Sequence, residues 1–338
     1  MKHEQTQSSG NRVFQIFIPV FVVLLIIGSA LLPMQEHSDE PLETYSYHIA
    51  IIGENTDDAF WNLLSRGVNN SAKQYGAIAE ETGAGLSQRL SVEDALKMAI
   101  YEDADGILIL PGSDESMTPL VDQAIDAGIP VISMERDLPD SRRSGFVGIN
   151  AYFLGQQFGR ELLKRSTDTT HTATILFPED RFDESSRQWF LQGLSSAVPS
   201  QQITFRYETV ESAGSALNNA EDIIQRLLNS NEIPDVLVTL DSISTQSAFH
   251  LLTSRSMVGN VKLIGTGISK DILDEIENGG IDAVISTDPI QLGEEGVRQL
   301  MTYQNYHMVS YYTEITPILI DASNVQQYRK EFYDEDGE

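Results

Sequence analysis

The sequence predicts an α/β protein in which two doubly wound parallel-sheet lobes flank a hinged cleft, preceded by one N-terminal transmembrane helix. Three observations support this prediction. A pattern of apolar strand, polar turn, helix, glycine and second apolar strand occurs twice, strands and helices alternate from Tyr47 almost to the end of the chain, and an uncharged apolar run lies near the N-terminus. Two similar halves in one chain predict two lobes, and small ligands usually bind in the cleft between domains.

The repeated pattern predicts a βαβ unit in each half. Asp105-Gly-Ile-Leu-Ile-Leu-Pro111 precedes a helix over 117–127 and a strand over 128–133. Pro234-Asp-Val-Leu-Val-Thr-Leu-Asp241 precedes a second helix and a strand over 261–265. Short continuous runs of Val, Ile and Leu are what a parallel strand covered on both faces requires. Right-handed crossovers then place the ligand-binding loops at the carboxyl ends of the strands.

The remaining elements follow from local signals, taken in chain order. The strand His48-Ile-Ala-Ile-Ile-Gly53 comes first, and the next helix begins at Asp57 or Asp58, either of which can cap free N–H groups. Apolar residues at helical spacing from Phe60 to Ala72 give that helix one buried face. Ser91 is expected to cap the following helix. Further strands are predicted at 77–81, 172–177, 203–207 and 281–286, and further helices at 151–163, 185–198, 213–228, 270–278 and 291–303.

The N-terminal region predicts a membrane anchor. No charged residue occurs from Val13 to Gln35, and a helix needs about 20 apolar residues to cross a bilayer. Lys2 and Arg12 precede the run and acidic residues follow it, so the positive-inside rule places the N-terminus in the cytoplasm and the remainder outside. A cleaved signal peptide is the alternative, but its apolar stretch is usually shorter, roughly 7–15 residues, and Gly28-Ser-Ala-Leu-Leu-Pro33 is a poor cleavage site.

The composition of the chain opposes several classes of function. With 22 Lys and Arg against 50 Asp and Glu, the formal net charge is −28, which opposes nucleic-acid binding because phosphate contacts demand Lys and Arg. The chain has no Cys, so disulfides, thiolate metal sites and a Cys nucleophile are excluded. The six His are scattered without metal-ligand spacing, and no nucleophile elbow, Walker loop or complete dinucleotide fingerprint occurs. We therefore expect neither an enzyme nor a bound cofactor or metal.

Several segments of the chain have a specific order and spacing. They are Ile49-Ala-Ile-Ile-Gly53 with Ala59-Phe60-Trp61, then residues 105–111, Ala127-Gly-Ile-Pro-Val-Ile-Ser-Met-Glu-Arg136, Val147-Gly-Ile-Asn150 and Ile285-Ser-Thr-Asp-Pro289. Together they resemble the ribose/galactose-type periplasmic binding proteins, the type I periplasmic binding fold of sugar ABC transporter substrate-binding proteins, over about residues 47–325. The resemblance implies two lobes, joined by three crossing segments, that close on a small and usually sugar-like ligand.

The resemblance and the composition together divide the chain into segments. Residues 1–12 are assigned to a cytoplasmic N-terminus, 13–35 to the anchor or signal sequence, 36–46 to a tether, 47–149 with 288–315 to lobe one, 150–287 with 316–325 to lobe two, and 326–338 to a solvated acidic tail.

The resemblance transfers ligand-binding positions in lobe one. Phe60 and Trp61 match aromatic residues whose faces sandwich a sugar ring, and Asp58 matches a position that bonds ligand hydroxyls. The alternatives are core packing for the two aromatic residues and a helix cap for Asp58. Glu135 and Arg136 match an Asp-Arg pair, in which a carboxylate and a rigid guanidinium fork bind vicinal hydroxyls. A structural ion pair at the hinge is the alternative for these two.

Lobe two retains fewer of the polar positions that the resemblance implies. Arg187 lies one helical turn from the expected arginine, Asp241 is kept after the second repeat, and Asp288 follows the last strand. These three residues complete the predicted ligand-binding set.

Five positions that are polar in the family carry other side chains here. They are Leu110, Phe190, Leu240, Thr266 and Thr287. An unsatisfied buried polar group costs about 1–3 kcal/mol, so these losses oppose binding of simple ribose or glucose. They favour a less polar or larger ligand, weak binding, or a vestigial pocket.

The function predicted is that of an extracytoplasmic, membrane-anchored solute-binding protein that closes on a small carbohydrate-like ligand by hinge motion. Its membrane partner is then the permease of a sugar ABC transporter. The alternative is a ligand-sensing accessory subunit for a membrane histidine kinase or receptor, which the uncleaved anchor and the depleted polar ring favour. A repressor would need a helix-turn-helix before Tyr47, where the apolar run stands instead.

Overall fold

A computed structural model describes residues 45–54, 58–112, 117–167, 171–179, 181–198, 203–211 and 216–334. The predicted cytoplasmic N-terminus, the membrane segment at 13–35 and most of the tether lie outside these residues, as do 335–338. None of the helices among the described residues is both long enough and apolar enough to span a bilayer.

The first sheet contains six strands, and every neighbouring pair is parallel. They are β1 (His48–Ile52), β2 (Ile78–Glu81), β3 (Gly106–Ile109), β4 (Val131–Met134), β5 (Gly145–Gly148) and β11 (Tyr312–Glu314), in the spatial order β11-β5-β4-β3-β1-β2. In the register, Ile49 lies opposite Gly106 and Ile107 lies opposite Val131.

The second sheet repeats this order with one exception at its edge. Its strands are β6 (Thr172–Pro178), β7 (Thr204–Val210), β8 (Val236–Thr239), β9 (Lys262–Gly265), β10 (Ala283–Ser286) and β12 (Ile318–Ile320), in the order β12-β10-β9-β8-β6-β7. β12 pairs with β10 in the antiparallel direction, with Val284 opposite Ile320. The prediction of a parallel sheet is therefore wrong for this edge, because the chain returns from the first sheet and enters β12 from the opposite end.

The helices cover the two faces of each sheet. They are α1 (Ala59–Gln74), α2 (Val92–Tyr101), α3 (Met117–Asp126), α4 (Ala151–Arg165), α5 (Glu184–Ala197), α6 (Ala216–Asn229), α7 (Ser242–Ser254), α8 (Lys270–Glu277), α9 (Pro289–Tyr306) and α10 (Val325–Arg329), which continues into a π-helical turn at Lys330–Asp334. We call the first sheet with α1–α3 and α9 lobe one, and the second sheet with α4–α8 and α10 lobe two. The chain passes between the two sheets three times, after β5, after β10 and after β11.

Alternating residues of β1 explain the doubly wound arrangement of lobe one. Ile49 and Ile51 join the buried cluster that includes Leu64 of α1 and Leu300 of α9. Ile52 faces the other way, into a second buried cluster built on α2 and α3. Because successive side chains of a strand point to opposite faces, a continuous apolar run is buried on both sides only when helices cover both.

Glycine permits close helix contacts in both lobes. A Cβ added at Gly193 of α5 would lie 1.9 Å from the carbonyl oxygen of Tyr152 in α4, and one added at Gly67 of α1 would lie 2.2 Å from that of Ile290 in α9. Each glycine therefore allows helix backbones to approach more closely than any larger residue would. These contacts fix α1 against α9 in lobe one and α4 against α5 in lobe two.

The end of the chain differs from the solvated tail that its acidic sequence predicts. Val325 and Phe332 are each 1% exposed and join the buried cluster of α6–α8. Leu63 of α1 belongs to the same cluster, so the cluster extends from lobe two into lobe one. Apolar residues at helical spacing bury one face of this segment even though its other residues are charged.

Candidate functional site

The predicted site residues follow the carboxyl ends of strands in both sheets. Asp58 comes after β1, Glu135 after β4, Asp241 after β8 and Asp288 after β10, while Arg187 lies on the helix that follows β6. Because all these strands are parallel within their sheets, the residues of each lobe lie at one sheet edge. Contacts between the loops of the two lobes identify the cleft between them as the candidate site.

Glu135 forms a side-chain ion pair that links the carboxyl-end loops of the two lobes. Its Oε2 lies 2.7 Å from Nη2 of Arg181, in the loop after β6 of lobe two. The Glu135 side chain is 17% exposed, and its second oxygen, Oε1, is buried without a hydrogen-bond partner. A buried, unpaired carboxylate oxygen is unfavourable unless a donor reaches it. The site therefore presents an acceptor for a ligand hydroxyl or ammonium group.

The backbone of Glu135 has a strained conformation. Its φ is +65°, in the left-handed region that residues other than glycine rarely adopt. Such a conformation costs of order 1–3 kcal/mol and persists only where the surroundings impose it. The Glu135 N–H donates to the carbonyl of Val147 at 3.0 Å, which fixes the residue against the neighbouring strand.

Arg136 points toward a different loop of lobe one. Its Nη1 donates to the carbonyl oxygen of Gly112 at 3.0 Å, in the loop that follows β3. A Cβ added at Gly112 would lie 2.3 Å from Oε1 of Glu54, so the carboxylate of Glu54 also reaches this loop. Arg136 therefore orders the carboxyl edge of the lobe one sheet, while the carboxylate of Glu135 pairs with Arg181 of the other lobe.

Asp58 shows the capping role, one of the two roles that the sequence left open. Its Oδ1 accepts the N–H of Trp61 at 2.7 Å, so it caps α1. Burial raises the pKa of the Asp58 carboxyl, whereas the N–H of Trp61 and the positive charge of Arg181 act to lower it. The charge of Arg181, a residue of lobe two, thus acts on a carboxyl group of lobe one.

The two aromatic residues after β1 have different environments. Trp61 is 4% exposed, belongs to the lobe one core and donates its Nε1–H to Oε2 of Glu81 at 3.2 Å. Its ring lies against Gly53, where a Cβ would approach Cζ3 to 2.4 Å. Phe60 is partly buried and packs against the clusters of both lobes. Of the two, Phe60 lies at the junction of the lobes, and Trp61 lies behind it in the core.

Arg187 is held by contacts within lobe two. Its Nη1 donates to Oγ1 of Thr209 at 3.2 Å, and its guanidinium lies 5.8 Å from the ring centre of Phe177 and 6.0 Å from that of Tyr207. Nε of Arg187 is buried without a hydrogen-bond partner. The residue therefore carries an unsatisfied N–H donor within lobe two.

Asp241 and Asp288 act as helix caps in this structure. Asp241 accepts the N–H and the hydroxyl of Ser244 at 2.7 and 2.6 Å. Asp288 accepts the N–H groups of Ile290 and Gln291 at 3.0 and 3.1 Å. Cap hydrogen bonds occupy one oxygen of Asp288 and both oxygens of Asp241, which reduces what either can offer to a ligand.

The positions that lost a polar residue are mostly part of the core. Phe190 is fully buried among other aromatic rings, and Leu240 is 3% exposed in the same cluster. Leu110 packs partly buried against the lobe one core. The hydroxyl of Thr266 donates to the carbonyl of Ile285 at 3.1 Å. These four side chains are packed in the cores of the lobes or hydrogen-bonded to the backbone.

Arg181 is the cleft residue that sequence reasoning missed. It contacts Glu135, which lies 46 residues earlier in the chain. The only sequence signal was its position just after a strand that ends at the ligand-binding edge of the lobe two sheet. No motif marks it, because its partner belongs to the other lobe.

A cavity of about 310 Å³ lies elsewhere, at the carboxyl ends of β1 and β2. Its lining includes Glu81, Thr82, Arg89 and Leu90, and contains none of the predicted ligand-binding residues. The cavity belongs to lobe one alone, whereas the charged groups of the two lobes meet at Glu135. The cleft between the lobes is therefore the better candidate for the site. Within the described ranges, no group of three His, Asp or Glu side chains is arranged to hold a metal ion.

Two sheets of matching strand order, three crossing segments and a charged cleft define a two-lobed solute-binding fold. The chain belongs to the family described as the periplasmic binding protein domain, which matches residues 49–306. The resemblance to sugar-binding periplasmic proteins that the sequence motifs indicated is thereby confirmed.

Similar proteins carry sugar names. The xylose/arabinose-binding protein XylF of Sulfolobus acidocaldarius is 22% identical over 307 residues, which cover 84% of this chain and 73% of XylF. The structure of GanP, a glucose-galactose binding protein from Geobacillus stearothermophilus, has a TM-score of 0.71 at 20% identity, and the match covers 82% of this chain and 98% of GanP. A structure of the XylFII–LytSN complex has a TM-score of 0.66 at 21% identity, and the match covers 82% of this chain and 98% of the matched chain. At these identities, the two solved structures support the fold.

Proposed function

We propose that this protein binds a small carbohydrate-like ligand between its two lobes and is not an enzyme. The observation that carries the proposal is the Glu135 carboxylate in the cleft, with one oxygen on Arg181 and the other buried and unpaired. A sugar hydroxyl is a donor of the right size and polarity to satisfy that oxygen. Membership of a solute-binding family and the sugar names of XylF and GanP support the same ligand class.

The ligand-binding residues proposed are the eight that the sequence selected, with Arg181 added. Glu135 and Arg136 bind hydroxyls from lobe one, Arg187 offers its Nε–H from lobe two, and Phe60 forms an apolar wall. Asp58, Asp241 and Asp288 bind the ligand only through the carboxylate lone pairs that their cap bonds leave. Trp61 acts from behind Phe60, since its ring and its N–H are already engaged in lobe one.

The ligand proposed has one polar and one less polar side. Both lobes supply charged groups, but Phe190 and Leu240 withdraw two polar positions from lobe two. A sugar with every hydroxyl exposed to both lobes would lose hydrogen bonds there, at about 1–3 kcal/mol each. A deoxy, alkylated or larger glycoside fits this distribution better than free ribose or glucose.

The location proposed is outside the cytoplasm, with the binding domain tethered by an uncleaved helix at 13–35. The uncharged length of that segment and the charges on either side of it support the anchor. An anchored binding domain stays near a membrane partner.

Two kinds of membrane partner fit an anchored sugar-binding domain. The first is the permease of a sugar ABC transporter, which takes the ligand onward. The second is a membrane histidine kinase or receptor that reads lobe closure. The solved XylFII–LytSN complex supports this second kind, because in it a protein of the same fold is bound to a partner, LytSN. A strain lacking the gene separates them: loss of sugar uptake supports transport, whereas intact uptake with loss of sugar-dependent transcription supports sensing.

Calorimetric titration of the full-length protein tests the binding proposal. Xylose, arabinose, glucose, galactose and their methyl glycosides are titrated into wild type, Arg136→Ala and Arg142→Ala. Arg142 is the matched control, since it pairs with Asp126 at 2.7 Å on the exposed surface of the same lobe. We expect at least one compound to bind with one site, Arg136→Ala to weaken it tenfold or more (about 1.4 kcal/mol), and Arg142→Ala to leave it unchanged. Equal affinity in all three proteins would reject the site.

A further inference from the structure

The Glu135–Arg181 ion pair joins the two lobes directly. Glu135 follows β4 of lobe one, Arg181 follows β6 of lobe two, and their side chains meet at 2.7 Å. A hydrogen bond between two ionised groups is among the stronger polar contacts in proteins. Ligands of two-lobed binding proteins close the lobes by contacting both, and this pair makes such a contact with the chain's own residues.

Both partners are held firmly by their own lobes. Glu135 is fixed by its strained backbone and its bond to Val147. Arg181 is followed by Phe182, which is 9% exposed and packs edge-on against the rings of Phe177 and Phe190. The ion pair therefore connects two loops, each of which has a contact that anchors it to its own lobe.

The pair leaves one oxygen of the Glu135 carboxylate without a hydrogen-bond donor. Arg181 occupies Oε2 of Glu135, while Oε1 is buried and unpaired. Because Arg181 uses only Oε2, a donor on Oε1 would not compete with it, and Arg181 orients the carboxylate. The positive charge of Arg181 also acts to lower the pKa of Asp58, a second carboxyl group of lobe one.

We propose that Arg181 is a positioning residue that latches lobe two onto Glu135 and holds the cleft closed before a ligand binds. The inference rests on the proposed ligand-binding cleft, but the latch itself requires no ligand. Because the apparent affinity of a ligand scales with the fraction of protein in the binding-competent state, loss of the latch weakens every cleft ligand by the same factor.

The distance between two spin labels tests the latch directly. The chain has no Cys, so Ser87→Cys and Glu211→Cys create a unique pair. Ser87 follows β2 and Glu211 follows β7, the strands at the edges farthest from the three crossing segments. Both residues are exposed, and hinge opening separates these edges the most.

The full-length protein is labelled and measured without ligand by double electron–electron resonance. We expect wild type to show a single short distance between the labels, and Arg181→Gln to show a second, longer distance as well. The ratio of closed to open molecules should fall about tenfold, as expected for loss of a hydrogen bond to a charged group. Arg181→Lys keeps the charge and restores part of the short distance. Arg206→Gln is the matched control, because it removes an Arg–Glu contact of 2.6 Å that lies within lobe two.

A second contact between the lobes makes a combined variant necessary. Nη1 and Nη2 of Arg66 in α1 donate to the carbonyls of Phe332 and Glu331 at 3.0 and 2.9 Å. The same distances are therefore measured in Arg66→Gln and in Arg66→Gln with Arg181→Gln. If Arg181→Gln lengthens the distance in neither background, the latch is wrong. If the distance lengthens but no sugar binds, the latch stands and the proposed ligand class fails.

Discussion

Nη1 of Arg66 lies 3.0 Å from the carbonyl oxygen of Phe332, so the first helix of lobe one holds the last helical turn of lobe two. The carbonyls at the end of a helix carry a partial negative charge, and a guanidinium placed there is favourable. The Phe332 side chain points the other way, into the buried cluster of lobe two. The acidic end of the chain is thus part of the folded domain as far as this turn.

Replacing Phe332 is expected to destabilise the protein strongly. Phe332→Ala removes a side chain that is 1% exposed, and such truncations cost about 3–5 kcal/mol. Urea unfolding measures the loss. Tyr306→Ala is the control, since Tyr306 is 73% exposed and its truncation is expected to stay within about 0.5 kcal/mol. Equal, small effects in the two variants would mean that the C-terminal turn is not packed as described.

Trp61 is expected to matter for stability more than for binding. Trp61→Phe keeps an aromatic ring in the lobe one core but loses the hydrogen bond to Glu81, which is worth about 1 kcal/mol. The unfolding free energy should fall by about that amount or somewhat more, while the ligand affinity changes little. Phe60→Ala should lower the ligand affinity more than the stability, because Phe60 lies at the junction of the lobes. A large loss of affinity in Trp61→Phe with unchanged stability would contradict the placement of its ring.

Asp58→Asn is expected to raise stability at neutral pH. Burial raises the pKa of Asp58 above the unfolded value of about 3.9, so the charged form is disfavoured in the folded state. Protonated Asp58 therefore stabilises the fold below the pKa of the unfolded state, and this stabilisation is lost as the pH rises through the pKa of the folded state. Asn caps a helix about as well as Asp and carries no charge.

Thermal unfolding of Asp58→Asn and wild type at pH 7 and near pH 3.5 measures this difference. The variant should be the more stable protein at pH 7, and its advantage should shrink at the lower pH. Asp58→Ala, which also loses the cap bond to Trp61, should be less stable than Asp58→Asn at both values by about 1 kcal/mol. If Asp58→Asn is clearly less stable than wild type at pH 7, the attraction between Arg181 and the Asp58 carboxylate outweighs the effect of burial.

Asp321 is expected to show the opposite pH dependence. Hydrogen bonds from Ser323, with Lys164 at 3.3 Å, lower the pKa of Asp321 to about 2. A lowered pKa contributes stability above the unfolded value of about 3.9, and this stability is lost as the pH falls through 2. Asp321→Asn should therefore lower the melting temperature at pH 7, and the difference from wild type should narrow toward pH 2. Glu102→Gln, at an exposed acid, is the control; a pH-independent deficit in Asp321→Asn would contradict the account.

Local signals in the sequence predict most of the fold. Continuous Val, Ile and Leu runs predict buried parallel strands because no other short element buries both faces, and β1, β3, β8 and β9 lie within the predicted runs. Asp58 and Ser91 cap the helices that they precede, as predicted. The antiparallel entry of β12 was missed, since the direction of an edge strand depends on where the chain returns rather than on its own residues.

The site is less predictable, because its decisive contacts connect distant residues. Glu135 was selected, but its partner Arg181 follows a strand of the other sheet, and no spacing rule relates the two. The indole N–H of Trp61 donates to Glu81, the last residue of the neighbouring strand β2. The role of Asp58 as a cap could be predicted locally, whereas the direction of its pKa shift depends on the surrounding fold and on the charge of Arg181 in the other lobe.

A thermal-shift screen of the full-length protein against a broad library of sugars, glycosides and polyols tests the central claim most directly. A ligand at 100 times its Kd adds about 2.7 kcal/mol of stability, which raises the melting temperature by several degrees in a protein of this size. We predict a clear shift with at least one carbohydrate, and loss of that shift in Arg136→Ala and Glu135→Gln. Silence across the whole library, or a shift that survives both substitutions, would contradict a sugar-binding cleft at these residues.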